Sequence, residues 1–228
     1  MNRSCQIQRS LCLLLWASLV IAPAAPAQPA TNPFEKEIAA FERADQSNPP
    51  PQHGILFIGS SSIRKWTSLA RDFPTHKVFN RGFGGSQISD SIYFFDRIVA
   101  PYKPKVIVFY AGSNDINARK TAAQVIEDWK TFVGKVEAAL PETKIAFISI
   151  DTSPSRWKQH ETVIAANQAI AEFMSQDNRR TFIDTYHALL DADGRPRPEL
   201  YVADRLHLNA RGYAIWASII GPYLDKVD

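Results

Sequence analysis

Ile55-Leu56-Phe57-Ile58-Gly59-Ser60-Ser61-Ser62 places four apolar residues in a row, then a glycine, then three hydroxyls. A short run that is apolar at every position and closed by a glycine reads as a strand covered on both faces. The same pattern recurs along the chain. Val78-Phe79-Asn80 runs into the glycines at 82, 84 and 85. Val106-Ile107-Val108-Phe109-Tyr110 stops at Gly112. Lys144 to Ile150 stops at Asp151 to Pro154, and Thr181-Phe182-Ile183-Asp184 makes a fifth run. Between the runs lie helical stripes: Val125, Trp129, Phe132, Val136 and Leu140, then Val163, Ile170 and Met174, then Tyr213, Trp216, Ile220 and Tyr223. An earlier stripe, Phe34, Ile38, Phe41 and Ala44, predicts a helix over 34–45, closed by Asn48-Pro49-Pro50-Pro51 because successive prolines cannot continue it. Apolar strands alternating with amphipathic helices specify a parallel sheet covered on both faces, an α/β doubly wound, flavodoxin-like three-layer α/β/α domain of five strands. One such domain suits about 200 residues.

Composition narrows the function. The chain has 228 residues, 45% hydrophobic and 21% charged, which are ordinary globular values. Its net charge of +3 gives no footprint for nucleic acid. The N-terminus reads as an address. Arg3 and Arg9 precede the apolar run Leu11 to Ala22, followed by small residues ending in Ala25-Pro26-Ala27. Basic start, apolar centre and A-x-A end are the parts of a secretory signal peptide, and a run this short does not reach the ~20 residues of a membrane span. Residues 1–27 are therefore expected to be a signal peptide cleaved after Ala27, 28–33 a linker, and 34–228 a single domain. Cys5 and Cys12 would leave with the signal, so the mature chain would be cysteine-free. It would be secreted or periplasmic, without a stable membrane anchor.

In open parallel sheets, ligands bind beyond the carboxyl ends of the strands. The segments expected there carry chemistry: Gly59-Ser60-Ser61-Ser62, Gly82-Phe83-Gly84-Gly85-Ser86, Gly112-Ser113-Asn114-Asp115, and Ser153-Pro154-Ser155-Arg156, with Asp204-Arg205-Leu206-His207 before the last helix. A hydroxyl needs a base to take its proton, and a histidine held by a carboxylate serves. Asp204 and His207 are three apart, so one turn can bring them together; Asp184 and His187 share that spacing. An oxyanion needs preorganised donors, and the Gly85 N–H and the Asn114 amide are candidates. Each block alone has a plainer explanation: a serine as helix cap, glycines and Asn-Asp as turns. Their ordered co-occurrence lifts the functional reading. No Gly-x-Ser-x-Gly, dinucleotide fingerprint, phosphate-binding loop or zinc spacing is present. Asp191-Ala192-Asp193-Gly194 is too short for a calcium loop and reads as a turn.

These blocks resemble those of the SGNH hydrolase superfamily, the GDSL-type esterases and lipases, including its lysophospholipase/thioesterase-like and platelet-activating-factor-acetylhydrolase-like branch. The resemblance spans about residues 54–224. The family's Gly-Asp-Ser aligns with Gly59-Ser60-Ser61, which implies Ser61 as nucleophile, with Ser60 and Ser62 as fallbacks because Ser60 replaces the usual Asp. It implies Gly85 as backbone oxyanion donor beside Ser61 itself, Asn114 as side-chain donor, and Asp204 with His207 as the pair preceding the final helix, in preference to Asp184 and His187. It implies a serine ester hydrolase forming an acyl-serine intermediate on a small-molecule, lipid or carbohydrate ester, without metal or other cofactor. An acyltransferase with the same triad, or a binding module that kept the fold, are the alternatives.

Further readings follow from position. Arg156 is a candidate substrate contact or a surface ion pair. Asn167 lies on an apolar helix stripe and reads as a buried amide bonded to backbone, or as a support behind the site. Trp66 and Trp157 read as packing. His53, His76 and His160 read as surface histidines. Connections of ordinary length at the active edge predict an open acyl site without a lid.

Overall fold

The computed structural model describes residues 32–227. The expected signal peptide, both cysteines and most of the expected linker lie outside the described residues. Five strands, β1 (Ile55–Gly59), β2 (Val78–Gly82), β3 (Val106–Tyr110), β4 (Lys144–Ile148) and β5 (Arg180–Ile183), form one sheet in the order β2-β1-β3-β4-β5. Every neighbouring pair is parallel. The expected five-stranded, doubly wound sheet is the observed one.

Side-chain alternation explains why each strand is apolar throughout. Leu56, Ile58, Ile107, Phe109, Ile145 and Phe147 point to one core. There they meet α1 (Glu35–Ser47), α4 (Ile88–Tyr93), α5 (Phe95–Ile98), α7 (Ala122–Ala139) and α8 (His160–Met174). Ile55, Phe57, Val106, Val108, Tyr110, Ala146 and Ile148 point to the other. That face is covered by α3 (Leu69–Asp72) and α9 (Ala210–Val227), with α2 (Ser61–Arg64) at its edge. The stripes on α7, α8 and α9 are the buried faces of those helices. Thr121 caps α7 with a reciprocal Gln124 bond, which fixes where that helix starts.

The differences in boundary have local causes. The fourth strand ends at Ile148, not Ile150. Ser149 N–H still donates to the Ile183 carbonyl at 2.9 Å, and from there side chains take over from the ladder: Ser149 Oγ accepts from the N–H groups of Thr185 and Tyr186 at 2.9 and 2.8 Å. Asn167 Oδ1 accepts from Ile150 N, and its Nδ2 donates to Ile150 O, each at 2.8 Å. Asn167 is thus the buried amide bonded to backbone. Residues 81–105 hold two short helices, α4 and α5, and a 3₁₀ turn at Ala100–Tyr102. His76 is a correction: its side chain is only 7% exposed and lies 3.1 Å from Asp225. No carboxylate stands three residues before it, and the partner it meets comes from α9, 149 residues away. Trp66 is buried among Phe57, Phe73, Tyr213 and Trp216. Trp157 stacks on His160 at 4.4 Å with Arg195 over its ring at 4.7 Å. Asp191 Oδ1 takes the N–H groups of Asp193 and Arg195, the turn expected there.

Candidate active site

The strand order reverses between β1 and β3, and such a reversal opens a crevice at the carboxyl edge. Ser60 N–H donates to the Tyr110 carbonyl at 2.9 Å, carrying the β1–β3 ladder one residue past the strand. The chain then turns straight into α2, with Ser61 its first residue. Gly59 makes the turn possible: its φ is +136°, and a Cβ there would sit 1.9 Å from the Tyr110 oxygen. Ser60 and Ser62 are buried, whereas Ser61 is partly exposed. Tyr213 on α9 donates to the Ser62 carbonyl at 2.8 Å and anchors α2 from behind.

His207 arrives from the loop before α9. Arg205, at φ +57°, bends this loop so that the N–H groups of Leu206 and His207 both donate to Asp204 Oδ1 at 2.9 Å. Asp204 Oδ2 lies 2.6 Å from His207 Nδ1. His207 Nε2 lies 2.8 Å from Ser61 Oγ. Burial opposes charge on Asp204, but the bonds from the His207 ring and the two backbone N–H groups prevail and hold its carboxyl well below the usual range. An ionised carboxylate only accepts, so the ring carries its proton on Nδ1 and presents Nε2 as an acceptor to the Ser61 hydroxyl. The arrangement can therefore draw a proton from Ser61.

Lys65, one turn after Ser61, was not singled out by the sequence. Its Nζ lies 3.1 Å from His207 Nδ1 and 3.8 Å from Asp204 Oδ2. An ammonium and an Nδ1–H are both donors, so Asp204 is its productive partner. No spacing could have found it, since 142 residues separate it from His207.

The second and third blocks meet beside this chain of bonds. Asn114, in the first turn of α6 (Ser113–Asn117), donates from Nδ2 to the Ser86 carbonyl at 3.0 Å. Gly85, next to Ser86, has φ +83°, a left-handed turn that favours glycine. Ser86 Oγ in turn donates to the Phe83 carbonyl at 2.9 Å. Arg156, in the 3₁₀ turn Pro154–Gln159, has inward partners: Nη1 donates to Ser113 Oγ at 2.8 Å and Nη2 to Asn114 Oδ1 at 3.0 Å. Asp115 is fully buried, pairs with Lys120 at 2.8 Å and accepts from Ile88 N–H, tying the third block to the start of α4.

A second carboxylate lines the crevice. Asp151 is bonded by the Tyr110 hydroxyl and, at 3.5 Å, approached by that of Tyr201. Burial pushes its carboxyl up to about 7, against its own backbone N–H, Arg156 and Tyr201, which pull it down. Its position was passed over in the sequence as part of a strand-ending loop.

The other Asp-x-x-His also forms a pair, with Asp184 Oδ2 2.5 Å from His187 Nδ1. It adjoins a wider apolar cleft of about 250 Å³ lined by Ile164, Ala171, Phe182 and Tyr186. Ser149, which also lines that cleft, has its hydroxyl oxygen occupied by two backbone N–H groups. Among the described residues no group of three His, Cys, Asp or Glu could hold a metal ion, and no helix is long and apolar enough to cross a membrane.

A parallel three-layer sheet bearing a hydroxyl, an imidazole and a carboxylate in hydrogen-bonded series has the build of an ester hydrolase. Residues 58–215 match the GDSL-like Lipase/Acylhydrolase family, and the protein belongs to that family, whose members act on ester bonds. No curated relative matches the sequence. Solved structures agree in fold. A protein from Streptococcus pneumonia described as a platelet activating factor is 25% identical with TM-score 0.74, over 83% of this chain and 92% of that one. A GDSL-like lipase from Bacteroides thetaiotaomicron is 18% identical with TM-score 0.69, over 83% and 98%. A carbohydrate esterase family 3 protein from Talaromyces cellulolyticus is 21% identical with TM-score 0.63, over 75% and 96%.

Proposed function

We propose that the protein cleaves acyl esters through an acyl-serine intermediate on Ser61. The observation that carries this reading is the 2.8 Å approach of His207 Nε2 to Ser61 Oγ, with Asp204 on the far side of the ring. Ser61 Oγ attacks the ester carbonyl as its proton passes to His207 Nε2. Asp204 fixes the tautomer and stabilises the imidazolium, which then protonates the departing alcohol. Water, deprotonated by the same ring, attacks the acyl-serine and releases the acid. The oxyanion is held by the N–H groups of Ser61 and Gly85 and by the Asn114 amide.

The substrate side of the proposal is a short acyl group on a small molecule, lipid or carbohydrate. Its support is the active edge: 111–119 and 151–159 are largely taken up by α6 and the 3₁₀ turn Pro154–Gln159, and 192–203 is a connection of ordinary length with a 3₁₀ turn at Pro198–Leu200, so these three described segments offer no long lid. Arg3, Arg9 and the apolar run before Ala27 support export.

Turnover of p-nitrophenyl esters tests the reading. Ser61→Ala should abolish turnover with an unchanged thermal midpoint, whereas Ser60→Ala and Ser62→Ala should retain it. Acetyl to butyryl esters should exceed palmitoyl esters. A peak at twelve carbons or more would contradict the short acyl site, and transfer to an added sugar in preference to water would make the protein a transferase.

A further inference from the structure

We infer that Arg156 is a positioning residue that locks the Asn114 carboxamide in the orientation that offers an N–H to the oxyanion. This rests on the oxyanion role proposed for Asn114.

A carboxamide has nearly the same shape when flipped, so shape alone does not decide which end faces the crevice; its hydrogen-bond partners do. Asn114 has one partner of each obligate kind. The guanidinium of Arg156 can only donate, and it meets Oδ1 at 3.0 Å. The Ser86 carbonyl can only accept, and it meets Nδ2 at 3.0 Å. A flipped amide would set donor against donor and acceptor against acceptor at once. The observed orientation spends Oδ1 on Arg156 and one N–H on Ser86, and it leaves the second N–H of Nδ2 for a ligand in the crevice that Asn114 shares with Ser61 and His207.

Arg156 is itself held against rotation. Its other prong, Nη1, donates to Ser113 Oγ at 2.8 Å, so the planar fork grips two consecutive side chains of α6. A lysine, with a single point of charge, cannot reproduce that grip. The turn carrying Arg156 is tied to the loop of the acid–base pair, because Ser155 N–H donates to the Arg205 carbonyl at 3.0 Å. One short turn therefore sets the oxyanion amide on one side and borders the Asp204–His207 loop on the other. The cation at Oδ1 also polarises the amide, making its free N–H a stronger donor.

The test is a double-mutant cycle read as kcat and KM separately. Arg156→Ala should lower kcat about 10- to 100-fold, the size of one charge-assisted hydrogen bond, with KM within about threefold. In an Asn114→Ala background the same change should cost less than about threefold, because the group it positions is gone. A rise confined to KM would make Arg156 a substrate contact and overturn the inference. So would losses that multiply in the double variant. If Asn114→Ala leaves kcat unchanged, the oxyanion reading itself has failed, whatever Arg156 does. Should Arg156→Ala not fold, Arg156→Lys keeps the charge and loses the fork: it should lose most of the kcat that one bond supplies, and wild-type kcat there would overturn the lock.

Discussion

The protein contains the same local device twice. At Asp184–His187 and at Asp204–His207, the aspartate accepts the backbone N–H of the histidine three residues on and faces that residue's Nδ1. The devices part company at the far side of the ring. His187 has a side chain 78% exposed and follows β5 into a 3₁₀ turn. His207 has one 14% exposed, and its Nε2 rests on Ser61. Spacing makes the pair; the fold supplies the partner. Only the loop before α9 is carried back across the carboxyl edge of β1, where α2 begins.

Replacing each ring tests the comparison with the largest expected effect. His207→Ala should lower kcat/KM for a short aryl ester roughly 10⁴-fold, as loss of a triad member does. His187→Ala should stay within about twofold, the range of an exposed side chain away from the reaction. Asp204→Asn and Asp184→Asn should repeat the contrast. Equal losses at the two sites would dissolve the distinction.

A smaller effect is expected from the oxyanion side. Asn114→Ala should lower kcat by about 10²–10³-fold with little change in KM, because the amide meets its partner best once charge has developed. A change confined to KM would make Asn114 a ground-state contact. Steady-state kinetics on one ester decides it.

The sequence spoke most clearly where a residue type alone fixes the physics. Runs such as Val106 to Tyr110 must be buried on both faces, so the sheet could be read directly. Gly59 and Gly85 announced turns, and Ser61, Asn114, Asp204 and His207 stood in an order that resembles a known family. What stayed hidden depends on contacts between distant segments. Lys65 beside His207, Tyr213 behind Ser62, and Asp225 against His76 leave no trace in local spacing. Arg156 was singled out, but toward substrate, because nothing in Ser153-Pro154-Ser155-Arg156 says that the guanidinium folds back onto α6. Short helices such as α4 and α5 carry too few residues for a periodic stripe.

The smallest effect sharpens a second contrast, between two carboxylates at one site. Asp204 is held below the usual range by donors, while burial raises Asp151 to about 7. The folded protein keeps the Asp151 proton up to about 7, whereas the unfolded chain releases it near 3.8. This group therefore costs no stability below 3.8, costs progressively more as pH rises to about 7, and costs a constant amount above that. Asp151→Asn removes the titration. The variant's thermal midpoint minus that of the wild type should rise by several degrees, on the order of ~5 °C, between pH 4 and pH 8. A difference independent of pH would mean that Asp151 is not held protonated by the fold.

The central claim is that Ser61 is activated by His207 and not by any neighbouring hydroxyl or ring. A fluorophosphonate that phosphonylates activated serines, followed by fragment-level mass mapping of the 59–65 region, addresses it directly. The label should fall on Ser61 in the wild type and in His187→Ala, and should be lost in His207→Ala. Label on Ser60 or Ser62, or labelling that survives in His207→Ala and vanishes in His187→Ala, would contradict the account.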